Sequence, residues 1–77
     1  MWIRTQNSQR IINSDQVIDI FIDKTGTKIY AETTCDGEAI ELGTYDNRDT
    51  CLKVLDYITD AIECEWSSFK TPLGGKV

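Results

Sequence analysis

Four acidic side chains recur on one face of the helix predicted near the C-terminus, and they are the groups best placed for chemistry. They are Asp49, Asp56, Asp60 and Glu63, with only Lys53 among them. Paired carboxylates can divide acid and base work when their environments drive their pKa values apart. Exposed acids on one helix face share a solvated environment, so catalysis is not expected here. The pattern favours a solvated polar face, a docking surface for a basic partner, or mimicry of a nucleic-acid backbone.

Other catalytic and metal chemistry lacks its usual residues. The chain has no histidine, which is the common activating base of a serine nucleophile and a common zinc ligand. Cys35, Cys51 and Cys64 form an odd, widely spaced set, which predicts neither a disulfide framework nor a zinc site. We interpret them as reduced, mostly buried small hydrophobic residues. The sequence therefore predicts no enzyme, no metal and no cofactor.

Composition limits the classes of partner. The chain has 77 residues and a formal net charge of −5. Sequence-independent binding to nucleic acid requires cations that displace counterions from the phosphates, so direct nucleic-acid binding is not expected. No run approaches the roughly 18 apolar residues of a membrane span, and no basic segment followed by an apolar one opens the chain. We expect one cytoplasmic domain over residues 1–69 and a flexible tail over 70–77.

Alternating apolar and polar residues predict the strands. Residues 1–5 and 10–13 are expected to form a short hairpin. Strands over 16–23, 28–34 and 38–44 should follow, joined by a turn at Gly26 and a tight turn at Asp36-Gly37. One face of the strand over 16–23 carries Ile18, Ile20 and Ile22. The other face carries Val17, Asp19, Phe21 and Asp23.

From Asn47 onwards the apolar period changes from two to about 3.6 residues. Asn47 is a suitable N-cap because its side-chain oxygen can accept from free amides of the first turn. The same stripe continued to Phe69 predicts a helix that ends near Ser68. The stripe consists of Cys51, Val54, Leu55, Ile58, Ala61 and Ile62. We expect it to pack against the isoleucine face of the sheet.

A helix that covers one face of the sheet leaves the opposite face without a cover. Val17 and Phe21 are the apolar candidates on that face, joined by Tyr30 or Trp2 depending on the register of the strands. They form a contact surface if they are contiguous, and otherwise they are single apolar residues on a soluble sheet. Homodimerisation through this face or through an open sheet edge is the corresponding hypothesis.

Three segments together resemble a family of small uncharacterised proteins of Gram-positive bacteria and their phages. They are the opening Met1-Trp2-Ile3-Arg4-Thr5-Gln6, the turn Leu42-Gly43-Thr44-Tyr45, and the helix segment Cys51-Leu52-Lys53-Val54-Leu55-Asp56-Tyr57-Ile58. Thr5 and Cys51 replace the serine and alanine usual in that family. The resemblance implies a sheet with one C-terminal helix and provides no catalytic or binding residues.

The predicted fold is α+β, an antiparallel meander sheet of four to five strands with one long C-terminal helix on one face. The predicted function is a non-enzymatic protein-interaction or regulatory module, phage or mobile-element encoded, that acts on a protein partner or as a homodimer. The alternative is an acidic nucleic-acid mimic that occupies a basic groove. The candidate interaction residues are Val17, Phe21 and Tyr30 on the sheet, and Asp56, Asp60 and Glu63 on the helix.

Overall fold

Among the described residues, six strands form two three-stranded sheets, and one helix lies between the fifth and sixth strands. The computed structural model describes residues 1–33 and 39–73. The elements in chain order are β1 (Trp2–Arg4), β2 (Ile11–Asn13), a single 3₁₀ turn (Ser14–Gln16), β3 (Val17–Ile22), β4 (Lys28–Thr33), β5 (Ala39–Thr44), α1 (Arg48–Glu63) and β6 (Ser68–Lys70). The α+β class is confirmed. The single meander sheet is wrong.

The first sheet, here the N-terminal sheet, has the order β2-β1-β6. The predicted hairpin of β1 with β2 is confirmed, while β6 joins the other side of β1 in parallel. Ile3 stands opposite Ile12 on one neighbour and Phe69 on the other, and all three are buried. This buried row packs the first strand, β1, against the last described strand, β6.

The second sheet, here the central sheet, is the antiparallel meander β3-β4-β5. These three strands agree with the sequence prediction. Gly26 has the positive φ of 77° that the β3–β4 turn requires. The Asp23 carboxylate closes this turn by accepting from the Thr25 hydroxyl and the Gly26 amide at 2.7 and 3.1 Å. The predicted Asp36-Gly37 turn and Cys35 lie outside the described residues.

A β-bulge changes the faces of β3. Val17 pairs with Thr33 and Asp19 pairs with Glu32, so Ile18 has no partner of its own in the ladder. Val17 therefore packs against the core on the same side as Ile20 and Ile22, while Ile18 is 63% exposed. The prediction that Val17 faces away from the helix was wrong, because strict alternation does not continue through a bulge, and Ile18 is largely exposed at the groove beside the helix rather than buried against it.

The helix begins where the sequence predicts and buries most of the predicted stripe. The Asn47 side chain accepts from the Thr50 amide at 2.9 Å, which confirms the N-cap. The outer members of the stripe behave differently from the rest, since Leu55 is only partly buried and Ile62 is 56% exposed. The buried members are Cys51, Val54, Ile58 and Ala61.

The helix ends at Glu63 rather than near Ser68. Glu65 takes a left-handed φ of 56°, the Trp66 amide donates to the Ala61 carbonyl at 3.0 Å, and the Glu65 amide donates to the Ile62 carbonyl at 3.2 Å. These two bonds form a Schellman motif, in which glycine is the usual left-handed residue. The chain then turns into β6, so Phe69 reaches the core from a strand.

The predicted tail begins too early. Lys70 belongs to β6, and Thr71 is buried and donates its amide to the Arg4 carbonyl at 3.0 Å. The described fold therefore includes residues up to 72 as part of its packing. Residues 74–77 of the predicted tail lie outside the described residues.

A cluster of hydrogen bonds, here the Gln6 clasp, joins the two sheets to the C-terminal segment. The Gln6 amide group accepts from the Thr44 N–H at 2.9 Å and donates to the Thr44 and Pro72 carbonyls at 3.0 and 3.1 Å. The Tyr45 hydroxyl donates to the same Pro72 carbonyl at 2.6 Å. Gly43 packs closely beside it, since an added Cβ would lie 3.0 Å from the Tyr45 hydroxyl and 3.2 Å from Thr71, so that these side chains would have to shift.

The buried phenol of this clasp predicts a pH dependence of stability. Burial raises the pKa of Tyr45 to about 12, above its ordinary value of 10.0. The neutral phenol therefore stabilises the fold fully below pH 10, and this contribution is lost as the pH rises from 10 to about 12. Urea titrations should show the stability advantage of the wild type over Tyr45→Phe shrinking across that range. A constant difference would contradict the assignment.

Candidate functional site

An apolar depression lies between strand β3 and helix α1. This β3–α1 groove has a volume of about 430 Å³. Residues 17–20 form one wall, Leu55, Ile58, Thr59 and Ile62 form the other, and Ile3 contributes to the floor. The two elements therefore leave an open channel where the sequence predicted a closed helix–sheet interface.

The strand wall of the groove has a free edge. β3 pairs with β4 on one side and with no other strand on the other side among the described residues. The opposite edge strand, β5, is partly covered by Gln6. The backbone N–H of Gln6 donates to the Leu42 carbonyl at 2.7 Å, and the Gln6 side chain accepts from the Thr44 N–H. Six residues long, β3 is twice the length of β2 and β6, the edge strands of the N-terminal sheet. Unpaired backbone groups along such an edge can template another strand.

Apolar side chains stand at the mouth of the groove. Ile18 lies on the strand side and Ile62 on the helix side, and both are more than half exposed. Leu55 lies between them and is only partly covered. Full burial of one such side chain is worth roughly 1.5–3 kcal/mol, so a ligand that covers the groove would gain free energy from each of the three.

The rim of the groove is negative. Of the described residues that line it, Asp19 alone is charged. Helix steps of about 100° per residue place Glu63 and Asp56 roughly 40° and 60° from Thr59, and Asp60 about 100° from it, on the solvent side of the helix wall. All three are exposed, and we refer to them as the acidic ridge. The groove thus combines an apolar channel with Asp19 in its lining, and the acidic ridge lies on the solvent side of the helix that forms its other wall.

The structure places the interaction residues predicted from the sequence at separate locations. Phe21 and Tyr30 stack with ring centroids 5.9 Å apart on the outer face of the central sheet, where both are half-buried. Val17 lies on the other face of that sheet, in the groove. An ion pair between Lys28 and Glu41, 3.8 Å apart, follows the aromatic pair on the outer face.

Val17 therefore lines the groove, whereas the acidic ridge lies outside that lining on the solvent side of the same helix. The aromatic pair lies on the outer face of the central sheet. Sequence reasoning missed Ile18 and Ile62, the most exposed apolar side chains of the groove. The position of Ile62 at the margin of the helix stripe was the one feature of the sequence that could have indicated its exposure. The bulge that exposes Ile18 has no marker in the sequence, because neither of its residues is glycine.

The titratable groups of the interior do not gather into a reaction centre in the part of the chain that the structure describes. Burial raises the pKa of the Cys51 thiol, which keeps it protonated as a small hydrophobic core residue. Cys64 is exposed, so the prediction of mostly buried cysteines is wrong at that position. Within residues 1–33 and 39–73, no three acidic or cysteine side chains approach each other closely enough to hold a metal ion.

Two further results concern the chain as a whole. Among the described residues, no helix combines the length and the apolar composition needed to cross a bilayer. No protein-family model, no curated protein and no solved structure matches the chain.

Proposed function

We propose that the protein is a non-enzymatic protein-interaction module whose β3–α1 groove binds an extended segment of a partner protein. The segment would alternate apolar residues with lysine or arginine. The observation that supports this most is the coincidence of a free six-residue strand edge with an apolar channel beside it.

Strand addition explains how such a groove would bind. A peptide that lies along β3 would exchange main-chain hydrogen bonds with the free edge, and these bonds supply affinity without sequence preference. Because strand side chains alternate, every second residue would point into the channel formed by Ile18, Leu55 and Ile62. The intervening residues would point towards the rim.

The rim determines which partner fits. Asp19 and the acidic ridge favour cations at the outward positions of the peptide, and such charges raise association rates and reject acidic competitors. A second copy of this chain is disfavoured, because pairing two β3 edges would bring two negative rims together on molecules that each carry a net charge of −5. Homodimerisation through this edge is therefore the less supported use of the groove.

The test uses a short capped peptide that alternates lysine and valine, and its glutamate-valine counterpart. We expect saturable binding of the lysine peptide, with amide shifts in the nuclear magnetic resonance spectrum concentrated on β3. Ile18→Asp should weaken binding by about tenfold, because roughly half of a large aliphatic side chain loses its burial. Ile11→Asp is the matched control, since Ile11 is similarly exposed at 56% but lies on β2, away from the groove.

Two results would contradict the proposal. One is binding without any change in the β3 amides, and the other is an equal loss of affinity in Ile18→Asp and Ile11→Asp. Equal affinity of the two peptides would refute the role of the negative rim.

The acidic nucleic-acid mimic is the second candidate, supported by the exposed acidic ridge alone. A mimic binds through charge, so its affinity for a basic protein should fall steeply with salt and disappear in a variant with Asp56→Asn, Asp60→Asn and Glu63→Gln. Strand addition should persist in that variant, with a moderate loss of affinity.

A further inference from the structure

A second exposed apolar group lies on the outer face of the N-terminal sheet, on the side of β1 opposite to Ile3 and the β3–α1 groove. Trp2 on the middle strand is 54% exposed, and Ile11 on β2 is exposed as well. With Arg4, Ser68 and Lys70 they border a depression of about 300 Å³. We refer to these five residues as the Trp2 face.

The charge of the Trp2 face is opposite to that of the molecule. Its only ionisable residues are Arg4 and Lys70, whereas the whole chain has a net charge of −5. Arg4 and Lys70 stand directly opposite each other in the register of β1 and β6. Like charges opposite each other destabilise a sheet, so this pair costs stability unless a counterion lies between them.

No acid of the chain provides that counterion in the described ranges. The Arg4 guanidinium donates from Nε and Nη2 to the Ser8 carbonyl at 3.3 and 3.1 Å. The Lys70 ammonium donates to the Ser8 hydroxyl at 2.7 Å. Ser8 holds both cations from a left-handed turn with a φ of 65°. The two cations are thus fixed side by side, and each retains N–H donors that point to no carboxylate.

We infer that the Trp2 face binds an acidic segment of a protein partner that presents a carboxylate next to an aromatic or large aliphatic side chain. The carboxylate would accept from Arg4 and Lys70, and the apolar side chain would cover Trp2 and Ile11. Tryptophan and arginine are the residue types that most often dominate the binding energy of protein interfaces. The charge complementarity is specific, because no carboxylate of the described chain lines this face.

Single-stranded nucleic acid is the other ligand that combines anions with stacking, and it is less well supported. Proteins that bind it use a positive groove along the backbone together with several aromatic platforms. The Trp2 face provides two cations and one exposed aromatic ring on a negative molecule, since Phe69 in the same depression is buried. This number of phosphate contacts gives weak binding at physiological salt.

This site is separate from the proposed function in both place and charge. The β3–α1 groove selects a basic segment through a negative rim, and the Trp2 face selects an acidic one through two cations. Variants of one site should leave the other unchanged, so the two proposals can fail independently.

The experiment monitors Trp2 directly. The chain has two tryptophans, so Trp66→Phe leaves Trp2 as the only indole emitter. The probes are a short capped peptide that alternates glutamate and phenylalanine, its lysine-phenylalanine counterpart, and a short oligothymidylate. We expect a saturable shift of Trp2 emission with the glutamate peptide alone.

Substitutions test the residues of the Trp2 face. Trp2→Ala should weaken binding by about tenfold or more, as expected for a central interface tryptophan. Lys70→Ala should weaken it by about three- to fivefold, the size of an exposed ion pair, and Lys70→Arg should retain it. Lys53→Ala removes the same charge from the helix and should leave the affinity unchanged. Nuclear magnetic resonance of each variant checks that β1 and β6 remain folded.

Three outcomes would overturn the inference. They are binding of the lysine peptide with equal strength, preference for the oligothymidylate, and equal weakening by Lys70→Ala and Lys53→Ala. A shift of Trp2 emission that rises with protein concentration in the absence of peptide would assign the face to self-association instead.

Discussion

Replacing Ile58 with alanine should lower the free energy of unfolding by about 2–5 kcal/mol. Ile58 is 3% exposed and lies where the helix meets the floor of the β3–α1 groove. Alanine would remove three methyl or methylene groups and leave a cavity that the rigid sheets cannot fill. A chain of 77 residues has a total stability of about 4–12 kcal/mol, so this one change would bring the domain close to unfolding. Chemical denaturation followed by circular dichroism measures the loss.

Leu55→Ala is the control, one helical turn away. Leu55 borders the same groove but is only partly buried, so its truncation removes less burial and opens no closed cavity. We expect a loss of about 1–2 kcal/mol, below that of Ile58→Ala. Equal losses at the two positions would mean that the groove is closed in solution, which would also remove the site proposed for the partner.

Local chemistry made several elements predictable. The change from a two-residue to a 3.6-residue period located the start of α1, and the Asn47 cap was recognisable because its bonds reach only three residues along the chain. Gly26 marked the β3–β4 turn for the same reason. Each of these signals depends on residues that are neighbours in sequence, so it could be recognised without knowledge of the tertiary contacts.

The errors came from contacts between distant parts of the chain. Phe69 fits the helix stripe, and no glycine marks the helix end, because Glu65 takes the left-handed position instead. Only the parallel pairing of β6 with β1, more than 60 residues earlier in the chain, makes a strand the better state there. The split into two sheets follows from that same pairing.

The site was predictable only in part. The acidic ridge was visible as helix periodicity, and an open sheet edge was one of the expected contact surfaces. The apolar channel was not visible, because it depends on the bulge at Ile18 and on how far the helix stands from β3. Phe21 and Tyr30 were correctly expected to share a face, and their mutual stacking covers part of the surface that they were expected to offer.

Two of the segments singled out in the sequence, the opening segment and the turn before the helix, meet in the Gln6 clasp. Gln6 comes from the opening segment, and Gly43 and Tyr45 come from the Leu42-Gly43-Thr44-Tyr45 turn. The structure gives a physical reason for each residue. Gln6 bridges the sheets, Gly43 leaves room for the tyrosine ring, and Tyr45 binds the C-terminal segment. These residues therefore have a structural role in the fold.

Gln6→Ala should consequently have the second-largest effect on stability, a loss of about 1.5–3 kcal/mol. Three hydrogen bonds of the side chain disappear, each worth roughly 0.5–1.5 kcal/mol net, and water replaces part of this free energy at the half-exposed position.

Because Gln6 and Tyr45 share the Pro72 carbonyl as acceptor, the losses in Gln6→Ala and Tyr45→Phe should not add. A double-mutant cycle by urea denaturation measures this coupling, with Gln9→Ala as the control, since Gln9 is an exposed glutamine whose side chain takes no part in the clasp. Strictly additive losses, or a loss in Gln9→Ala as large as that in Gln6→Ala, would show that the clasp does not hold the two sheets and the C-terminal segment together.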